Sequence, residues 1–390
     1  MKTMHIFKSF FLTLFLFCIS GLQSTELASG GAGTVAAKYD HSLYLNPNGM
    51  VWAWGFNAFG QLGNGNNTNS NVPLHVGGST PLTNISAIAS GNYHSIALAN
   101  DGTVWIWGNN AYGQLGNNSR NDSWLPTRPE GTLTNVIAVA GGQFHSIVLK
   151  NDGTVWAWGS NANGQLGNGT SVDSLIPVKV SNLTGIKAIA SGDSHNLALA
   201  SNGTVWAWGY NGSGQLGNGS FTSASIPVQV VGIFNVSAVA AGGQRSLVLK
   251  QDGTVWDWGY NGSGQLGNDS TIVSALPVQV GGSFPIKNGV AIAAGENHSL
   301  VIRSDGTTWS WGANNMGQLG NNSTIPDAKT PVVVGNYPVM NLVSIAGGNN
   351  HSLSVDNAGR VLVWGANNYG QLGNNVYGYI VAPIQISIPD

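Results

Sequence analysis

Residues 205–217 read Val-Trp-Ala-Trp-Gly-Tyr-Asn-Gly-Ser-Gly-Gln-Leu-Gly, and the Gly-Gln-Leu-Gly string that ends this stretch occurs seven times in the chain. Its first residue is Gly60, Gly113, Gly164, Gly214, Gly264, Gly317 and Gly370. Successive copies are 50 to 53 residues apart. A fixed period of this length is typical of repeat architectures, in which each unit buries its apolar surface against its neighbours.

Each repeat predicts four short strands and no helix. An apolar segment such as residues 138–141 comes first, and an alternating run such as residues 145–149 follows in strand fashion. A turn comes next, closed by Asp-Gly or Asn-Gly in six repeats and by Ala358-Gly359 in the seventh. We expect type I′ hairpins here, because that turn needs positive φ at both central positions. The Trp strand and a strand led by proline, such as residues 227–230, complete the repeat.

Seven such units predict an all-β fold, a seven-bladed β-propeller of four-stranded antiparallel blades. Both faces of a blade are then buried, which explains why residues 205–208 are wholly apolar, with the two tryptophans pointing one way and Val205 and Ala207 the other. A linear β-solenoid is the alternative, but it has no need for two tryptophans per repeat. If the blades are offset from the sequence repeats, the last strand, residues 383–386, pairs onto the first blade and closes the ring.

These strings resemble the regulator-of-chromosome-condensation repeat family. The pattern W-G-x-N-x-x-G-Q-L-G is present in all seven repeats, and A-x-G-x-x-H-S-L or a close variant in most. The resemblance covers about residues 34–390 and implies a seven-bladed propeller. Three departures are visible: Lys38 replaces a glycine in the first repeat, Arg245 a histidine in the fifth, and Leu362 a tryptophan in the seventh.

The N-terminus predicts export. Lys2 and Lys8 are followed by the short apolar run of residues 10–19 and then by small residues. That arrangement is typical of a signal peptide and is too short for a membrane span. We therefore predict a signal peptide at residues 1–24 and a single propeller domain at residues 25–390, secreted to the cell exterior, periplasm or cell surface, as in the secreted bacterial members of the family.

Composition narrows the partners. The chain has 390 residues, 8% of them charged, a net charge of −2 and no cluster of Lys or Arg. Nucleic-acid binding normally needs such a basic surface, so we expect no nucleic-acid partner. The single cysteine, Cys18, lies inside the predicted signal peptide. We expect a mature chain without disulfides and without a membrane span, in the monomeric state.

Two motifs suggest cofactors, and both are better explained by the scaffold. Gly212, Gly214 and Gly217 match a dinucleotide-binding string, as does the equivalent set in the fifth repeat, but no helix follows to receive a pyrophosphate. Histidines recur at one repeat position: His41, His94, His145, His195, His298 and His351. Equivalent positions on neighbouring blades are too far apart to share one metal. We expect each imidazole to donate to backbone, since arginine replaces it once, and we expect neither a metal nor a cofactor.

Catalysis finds little support, and we expect no enzymatic activity. Asp257 lies within the Trp strand of the fifth repeat, near the unusual Arg245. Counting from the Asp252-Gly253 turn places Asp257 opposite Val248, so we expect an edge aspartate, partly exposed, with a pair to Arg245 only across blades. The adjacent His and Ser of most repeats point to opposite faces of their strand and cannot form a catalytic pair.

Departures from the repeat are the candidates for binding. The residue before Gly-Gln-Leu-Gly is Phe59, Tyr112, Asn163, Ser213, Ser263, Met316 or Tyr369. Around a closed ring, the aromatic residues and the methionine come from consecutive blades six, seven, one and two. Such side chains are enriched at interface hot spots. The predicted binding residues are Phe59, Tyr112, Trp124, Met316 and Tyr369, where Trp124 stands in a longer loop outside the Trp strands. The alternative is that they only cover blade cores.

The leading hypothesis is a secreted propeller that acts as a protein-binding or scaffold module through one face of the ring. The resemblance also implies guanine-nucleotide exchange, the activity of the founding nuclear member. That member inserts a β-hairpin wedge, whereas the repeats here differ by at most three residues. Carbohydrate binding is a third hypothesis, because exposed aromatic residues such as Trp124 stack on sugars.

Overall fold

The computed structural model describes residues 32–131, 133–335 and 341–389. The predicted signal peptide lies outside these residues, and its cleavage and export stay predictions. In the described part of the chain, all regular secondary structure is β-strand. None of these residues forms a helix long and apolar enough to cross a membrane.

The strands fall into groups of four. The first four groups are β1 Thr34–Ala37, β2 His41–Leu45, β3 Val51–Gly55, β4 Ser70–His75; β5 Ile85–Ser90, β6 His94–Ala99, β7 Val104–Gly108, β8 Ser123–Thr127; β9 Val136–Gly141, β10 His145–Lys150, β11 Val155–Gly159, β12 Ser174–Lys179; β13 Ile186–Ser191, β14 His195–Ala200, β15 Val205–Gly209, β16 Ala224–Gln229. The other three are β17 Val236–Ala241, β18 Arg245–Lys250, β19 Val255–Gly259, β20 Ser274–Gln279; β21 Gly289–Ala294, β22 His298–Arg303, β23 Thr308–Ala313, β24 Asp327–Val333; β25 Leu342–Gly347, β26 His351–Asp356, β27 Val361–Gly365, β28 Ile380–Ile386.

Each group forms one antiparallel sheet whose strands pair in chain order. The first strand of every sheet lines a central channel, and β1 packs against β25 of the last sheet. The predicted all-β, seven-bladed β-propeller of four-stranded antiparallel blades is therefore confirmed.

The blades coincide with the sequence repeats. The last strand, β28, pairs with β27 of its own blade through Val363 and Ile384, so pairing onto the first blade is wrong. The ring closes instead through contacts between blades: Trp54 Nε1 of blade one donates to Gln371 O of blade seven at 2.9 Å. The same bond joins every other neighbouring pair of blades, so no strand exchange is needed.

The Gly-Gln-Leu-Gly string is the clasp between blades. In the copy at Gly214, Gln215 O accepts the indole N–H of Trp258 from the next blade at 2.9 Å, and Leu216 is fully buried. A Cβ on Gly214 would lie 2.6 Å from Ala275 Cα, and one on Gly217 would lie 2.6 Å from Trp258 Nε1. Both glycines also have positive φ. The string recurs because both glycines and the glutamine carbonyl meet the neighbouring blade around its fully buried tryptophan, and the leucine fills the apolar core.

The predicted type I′ hairpins are wrong. Gly253 has a φ of 76°, but Asp252 is not among the residues with positive φ. Lys250 N donates to Thr254 O and Gly253 N donates to Lys250 O, so the Lys250–Thr254 pair closes a loop of three residues, 251–253. This is a type I turn followed by a left-handed glycine, a conformation that Asp-Gly also suits.

The turn moves the strand register by one residue. Asp257 lies opposite Leu247, not Val248, and therefore shares a face with Arg245. Arg245 Nη1 and Asp257 Oδ2 are 3.0 Å apart within one blade, and both side chains are buried. The predicted exposed edge aspartate is wrong. Burial raises the pKa of Asp257 to about 7, and the Arg245 guanidinium opposes the rise.

The six histidines are buried and hydrogen bonded, but their partner is not backbone. Each Nε2 lies 2.8–3.0 Å from the Ser Oγ, or in one case the Asn196 Oδ1, of the next blade. Arg245 in the equivalent position donates across blades to Gly295 O and His298 O. The predicted donor role therefore holds, with the neighbouring blade as the acceptor.

Candidate binding face

Seven aromatic side chains form one contiguous group, which we call the aromatic cleft: Tyr39, Phe56, Phe59, Tyr93, Tyr112, Phe144 and Tyr369. They line an open cavity of about 510 Å³ together with Asp40, Asn109 and Ala111. Tyr112 and Tyr369 are 39% and 40% exposed. The cleft draws on blades seven, one, two and three, and it lies on the face where the second strand of each blade begins and the third ends.

The rings contact one another in sequence around the ring of blades. Phe56 lies 5.0 Å from Tyr369 across the junction of blades one and seven, between ring centroids. Phe59 lies 5.5 Å from Tyr93, Tyr93 lies 5.6 Å from Phe144, and Phe144 lies 4.8 Å from Tyr112. Such stacked, tilted and edge-to-face pairs are favourable for aromatic rings, and they leave a partly exposed apolar surface on this face of the propeller.

The structure brings together three of the five predicted binding residues. Phe59, Tyr112 and Tyr369 line the aromatic cleft, whereas Met316 does not. Trp124 also lies outside it, on the outer strand β8, where its indole packs over Gly60 and is 45% exposed. The cleft therefore draws on blades seven, one, two and three, whereas the predicted residues come from blades six, seven, one and two, and their role in binding stays a prediction.

Sequence reasoning missed four members of the cleft. Tyr39, Tyr93 and Phe144 precede the second strand of their blades, and Phe56 follows the Trp-Gly pair of β3. A signal was present, because the residue before the ring histidine, or before Arg245 in the fifth repeat, varies between Asp40, Tyr93, Phe144, Ser194, Gln244, Asn297 and Asn350. Only the fold places that position beside the residue before Gly-Gln-Leu-Gly.

One carboxylate stands at the cleft. Asp40 is 7% exposed, and Gln371 Nε2 donates to its Oδ1 at 3.2 Å. Burial raises the pKa of Asp40 to about 6, and hydrogen bonds from Asn349 and Gln371 oppose the rise. None of the salt bridges in the described residues includes Asp40.

A second polar group closes the central channel beside the cleft. Lys38 replaces the glycine of its repeat and extends across the ring, where its Nζ donates to Gly141 O at 2.8 Å and Gly192 O at 2.9 Å. Burial lowers the pKa of Lys38 to about 8, opposed by Asp193 and Glu296. Burial and the neighbouring Asp193 raise the pKa of Glu296 to about 8. The Lys38 side chain, although it departs from the repeat, is thus used for contacts between blades inside the propeller.

The described residues contain no cluster of side chains that could serve as a metal site. Across residues 32–131, 133–335 and 341–389, no three His, Cys, Asp or Glu side chains are grouped as metal ligands. The ring histidines use Nε2 for the next blade, and the ideal Cβ position of Gly91 lies 2.4 Å from His94 Nδ1.

The fold and the Gly-Gln-Leu-Gly clasp place the chain in a class, the seven-bladed propellers that are built from repeats of about fifty residues. Family profiles make this specific: the RCC1-like domain matches residues 26–248, and the regulator of chromosome condensation (RCC1) repeat matches residues 252–302, 305–355 and 358–390. The chain belongs to the RCC1 repeat family, as the sequence motifs predict.

Curated relatives match only part of the chain. The X-linked retinitis pigmentosa GTPase regulator homolog of Caenorhabditis elegans is 37% identical over 144 residues, which are 36% of this chain and 10% of that protein. The ultraviolet-B receptor UVR8 of Arabidopsis thaliana is 34% identical over 147 residues, 37% of this chain and 33% of the receptor. The chain thus spans a third or less of these relatives.

Solved structures match over nearly the full length. Yeast RCC1 (Prp20), crystallised with Kap60, has a TM-score of 0.75 and 23% identity, and the match covers 100% of this chain and 91% of that one. Human WBSCR16 has a TM-score of 0.76 and 25% identity, with 87% and 94% covered. At this identity the yeast match establishes the fold alone.

Proposed function

We propose that this propeller is a binding module that holds another protein on the aromatic cleft. One observation carries the proposal: seven aromatic side chains from four blades meet in a single open cavity of about 510 Å³. The repeat itself does not require these residues, since the equivalent positions in blades four to six include Ser194, Ser213 and Gln244. Contiguous apolar surface of this kind, rich in Tyr and Phe, is typical of protein interfaces.

The comparisons support a protein partner in general terms. Yeast RCC1 (Prp20) is described in complex with Kap60, and a second structure of Prp20p is described with its binding properties to Gsp1p and histones. These partners belong to those proteins. They support a binding role for a propeller of this shape and name no partner for this chain.

We further propose that the chain is exported, works as a monomer and has no catalytic activity of its own. Export rests on the N-terminal pattern of residues 1–24. Against nucleotide exchange stands the near-equal length of the seven repeats, which provides no projecting hairpin. Carbohydrate binding stays an alternative outcome of the experiment below, in which the cleft or Trp124 captures glycans instead of a protein.

The experiment is affinity capture from the producing organism's secreted and surface proteins, with residues 25–390 as bait. The test variant is Phe59→Ala/Tyr112→Ala/Tyr369→Ala. The matched control is Val172→Ala/Phe221→Ala/Phe284→Ala, which removes three exposed apolar side chains outside the cleft. A partner that wild type and control bind, and that the test variant binds at least about tenfold more weakly when purified, supports the proposal. Equal affinity of all three chains overturns it.

A further inference from the structure

We propose that the aromatic cleft is built to receive a basic side chain, a lysine or arginine of the protein partner, with Asp40 as its counter-ion. This rests on the proposed function for the source of the cation, and it adds the chemistry that the partner must present. The site has two parts, a buried carboxylate and the aromatic walls beside it.

The carboxylate is unusual because no cation accompanies it. Asp40 is 7% exposed, lines the cleft, and takes part in none of the salt bridges in the described part of the chain. Its neighbour Gln371 supplies an amide N–H at 3.2 Å. A buried carboxylate that has only neutral donors is costly, and a cation that enters the cleft removes the cost.

The walls suit a cation as well. Phe56, Phe59 and Tyr93 line the same cavity as Asp40, and Tyr39 lies 5.0 Å from Tyr93 between ring centroids. The faces of such rings carry negative potential and attract ammonium and guanidinium groups. A purely apolar ligand would satisfy the rings but not the carboxylate, so the combination favours a charged side chain with an aliphatic stem.

The chain's own cations near the cleft are engaged elsewhere. Lys38 Nζ donates to carbonyl oxygens of blades three and four, close to Asp193 and Glu296. Arg120 at the rim donates to Ala111 O at 2.6 Å and lies 3.7 Å from Asp173. Neither fills the position opposite Asp40, which leaves that position for a cation from outside.

Occupancy should depend on pH through Asp40. Because burial raises its pKa to about 6, the carboxylate is charged at pH 7.5 and becomes neutral at pH 5. The titratable side chains that line the cleft with it are Tyr39, Tyr93, Tyr112 and Tyr369. Burial and its hydrogen bond with Tyr39 raise the pKa of Tyr93, so it stays neutral over this range. Lys38, two residues before Asp40, stays with its carbonyl partners.

The test uses Nα-acetyl-lysine methylamide as the probe and its Nε-acetylated, uncharged form as the comparison. Binding to wild type is followed by NMR shifts of the ring signals of the cleft at pH 7.5 and pH 5. We expect the charged probe to bind about tenfold more tightly than the uncharged one at pH 7.5, and this preference to disappear at pH 5. Asp40→Asn should abolish the preference, whereas Glu130→Gln, which removes one exposed charge outside the cleft, should keep it.

Equal affinity of the two probes for wild type at pH 7.5 overturns the inference without any variant. A preference that survives in Asp40→Asn also overturns it. The proposed function fails differently: there the alanine variant of Phe59, Tyr112 and Tyr369 keeps its protein partner. Loss of that partner together with equal binding of the two probes leaves the proposed function standing and this inference wrong.

Discussion

His41 of blade one places its Nε2 atom 2.9 Å from Ser95 Oγ of blade two. Ser95 donates its only proton to Gln61 O of blade one at 2.8 Å, so it must accept from the imidazole. His41 is therefore neutral with its proton on Nε2, and its Nδ1 has no partner. The bond repeats around the ring, with Asn196 once in place of serine and Arg245 once in place of histidine, and it couples each blade to the next.

Acid should weaken the ring steeply. Burial lowers the pKa of His41, His195, His298 and His351 to about 3 and that of His145 to about 4, and that of His94 falls well below its ordinary value. The unfolded chain takes up these protons near pH 6.5 and the folded chain does not, so stability present above pH 6.5 is lost as the pH falls.

Three carboxyls oppose this loss only in part. Asp40, Asp257 and Glu296 have raised pKa values, so they stabilise the fold when protonated and that stability is lost as the pH rises through about 6, 7 and 8. With six histidines against three carboxyls, we expect the free energy of unfolding to fall by roughly 4 kcal/mol per pH unit between pH 6 and 5. Urea denaturation at pH 7.5, 6 and 5 measures it. A midpoint that rises or stays constant over this range contradicts the assigned histidine state.

Removing one acceptor of the ring should cost more than removing an exposed hydroxyl. Ser95→Ala leaves the buried Nε2–H of His41 and the carbonyl of Gln61 with one partner fewer, and we expect a loss of about 1–3 kcal/mol. Ser201→Ala is the control, since Ser201 also donates to a carbonyl but is exposed, and we expect less than about 0.5 kcal/mol. Chemical denaturation of the two variants compares them, and equal losses would contradict a stabilising role for the bond between His41 and Ser95.

Replacing both members of the Arg245–Asp257 ion pair should restore the stability that is lost when only Arg245 is replaced. Arg245→His alone leaves Asp257 buried without its cation, at a cost of about 3–5 kcal/mol. The double variant Arg245→His/Asp257→Ala matches repeats one, three and four, and Ser299 is already in place to accept from a histidine.

We therefore expect the double variant to recover most of the stability lost by the single variant, as replacement of buried ion pairs often permits. Thermal and urea denaturation of wild type, both single variants and the double variant form the cycle. Additive losses in the double variant would indicate that Arg245 and Asp257 do not act as a pair.

The sequence was sufficient for the fold because the Gly-Gln-Leu-Gly string repeats at a fixed period and each copy has an obligatory place in the clasp. It was insufficient for the Arg245–Asp257 pair, since Asp-Gly suits both a two-residue type I′ turn and the three-residue loop that is present, and the two differ by one residue in register. The aromatic cleft was found in part. Phe59 and Tyr369 occupy the variable position before Gly-Gln-Leu-Gly and were predicted from the sequence. Tyr93 lies elsewhere in its repeat and reaches Phe59 only through packing between blades.

The clasp itself can be tested with two glycines that share one backbone conformation. Gly217 and Gly185 both have a φ of 63°, so alanine at either position carries a similar left-handed strain of about 1–2 kcal/mol. A Cβ at Gly185 meets nothing within 4 Å, whereas one at Gly217 lies 2.6 Å from Trp258 Nε1 and 2.9 Å from Val230 Cγ1. Gly217→Ala should therefore lose a further 1–3 kcal/mol, roughly, because the buried indole has to move away from Gln215 O. Urea denaturation of both variants, with Trp fluorescence as the probe, isolates the contact between blades from the backbone strain, and equal losses would mean that the second glycine of the string is kept for its φ alone.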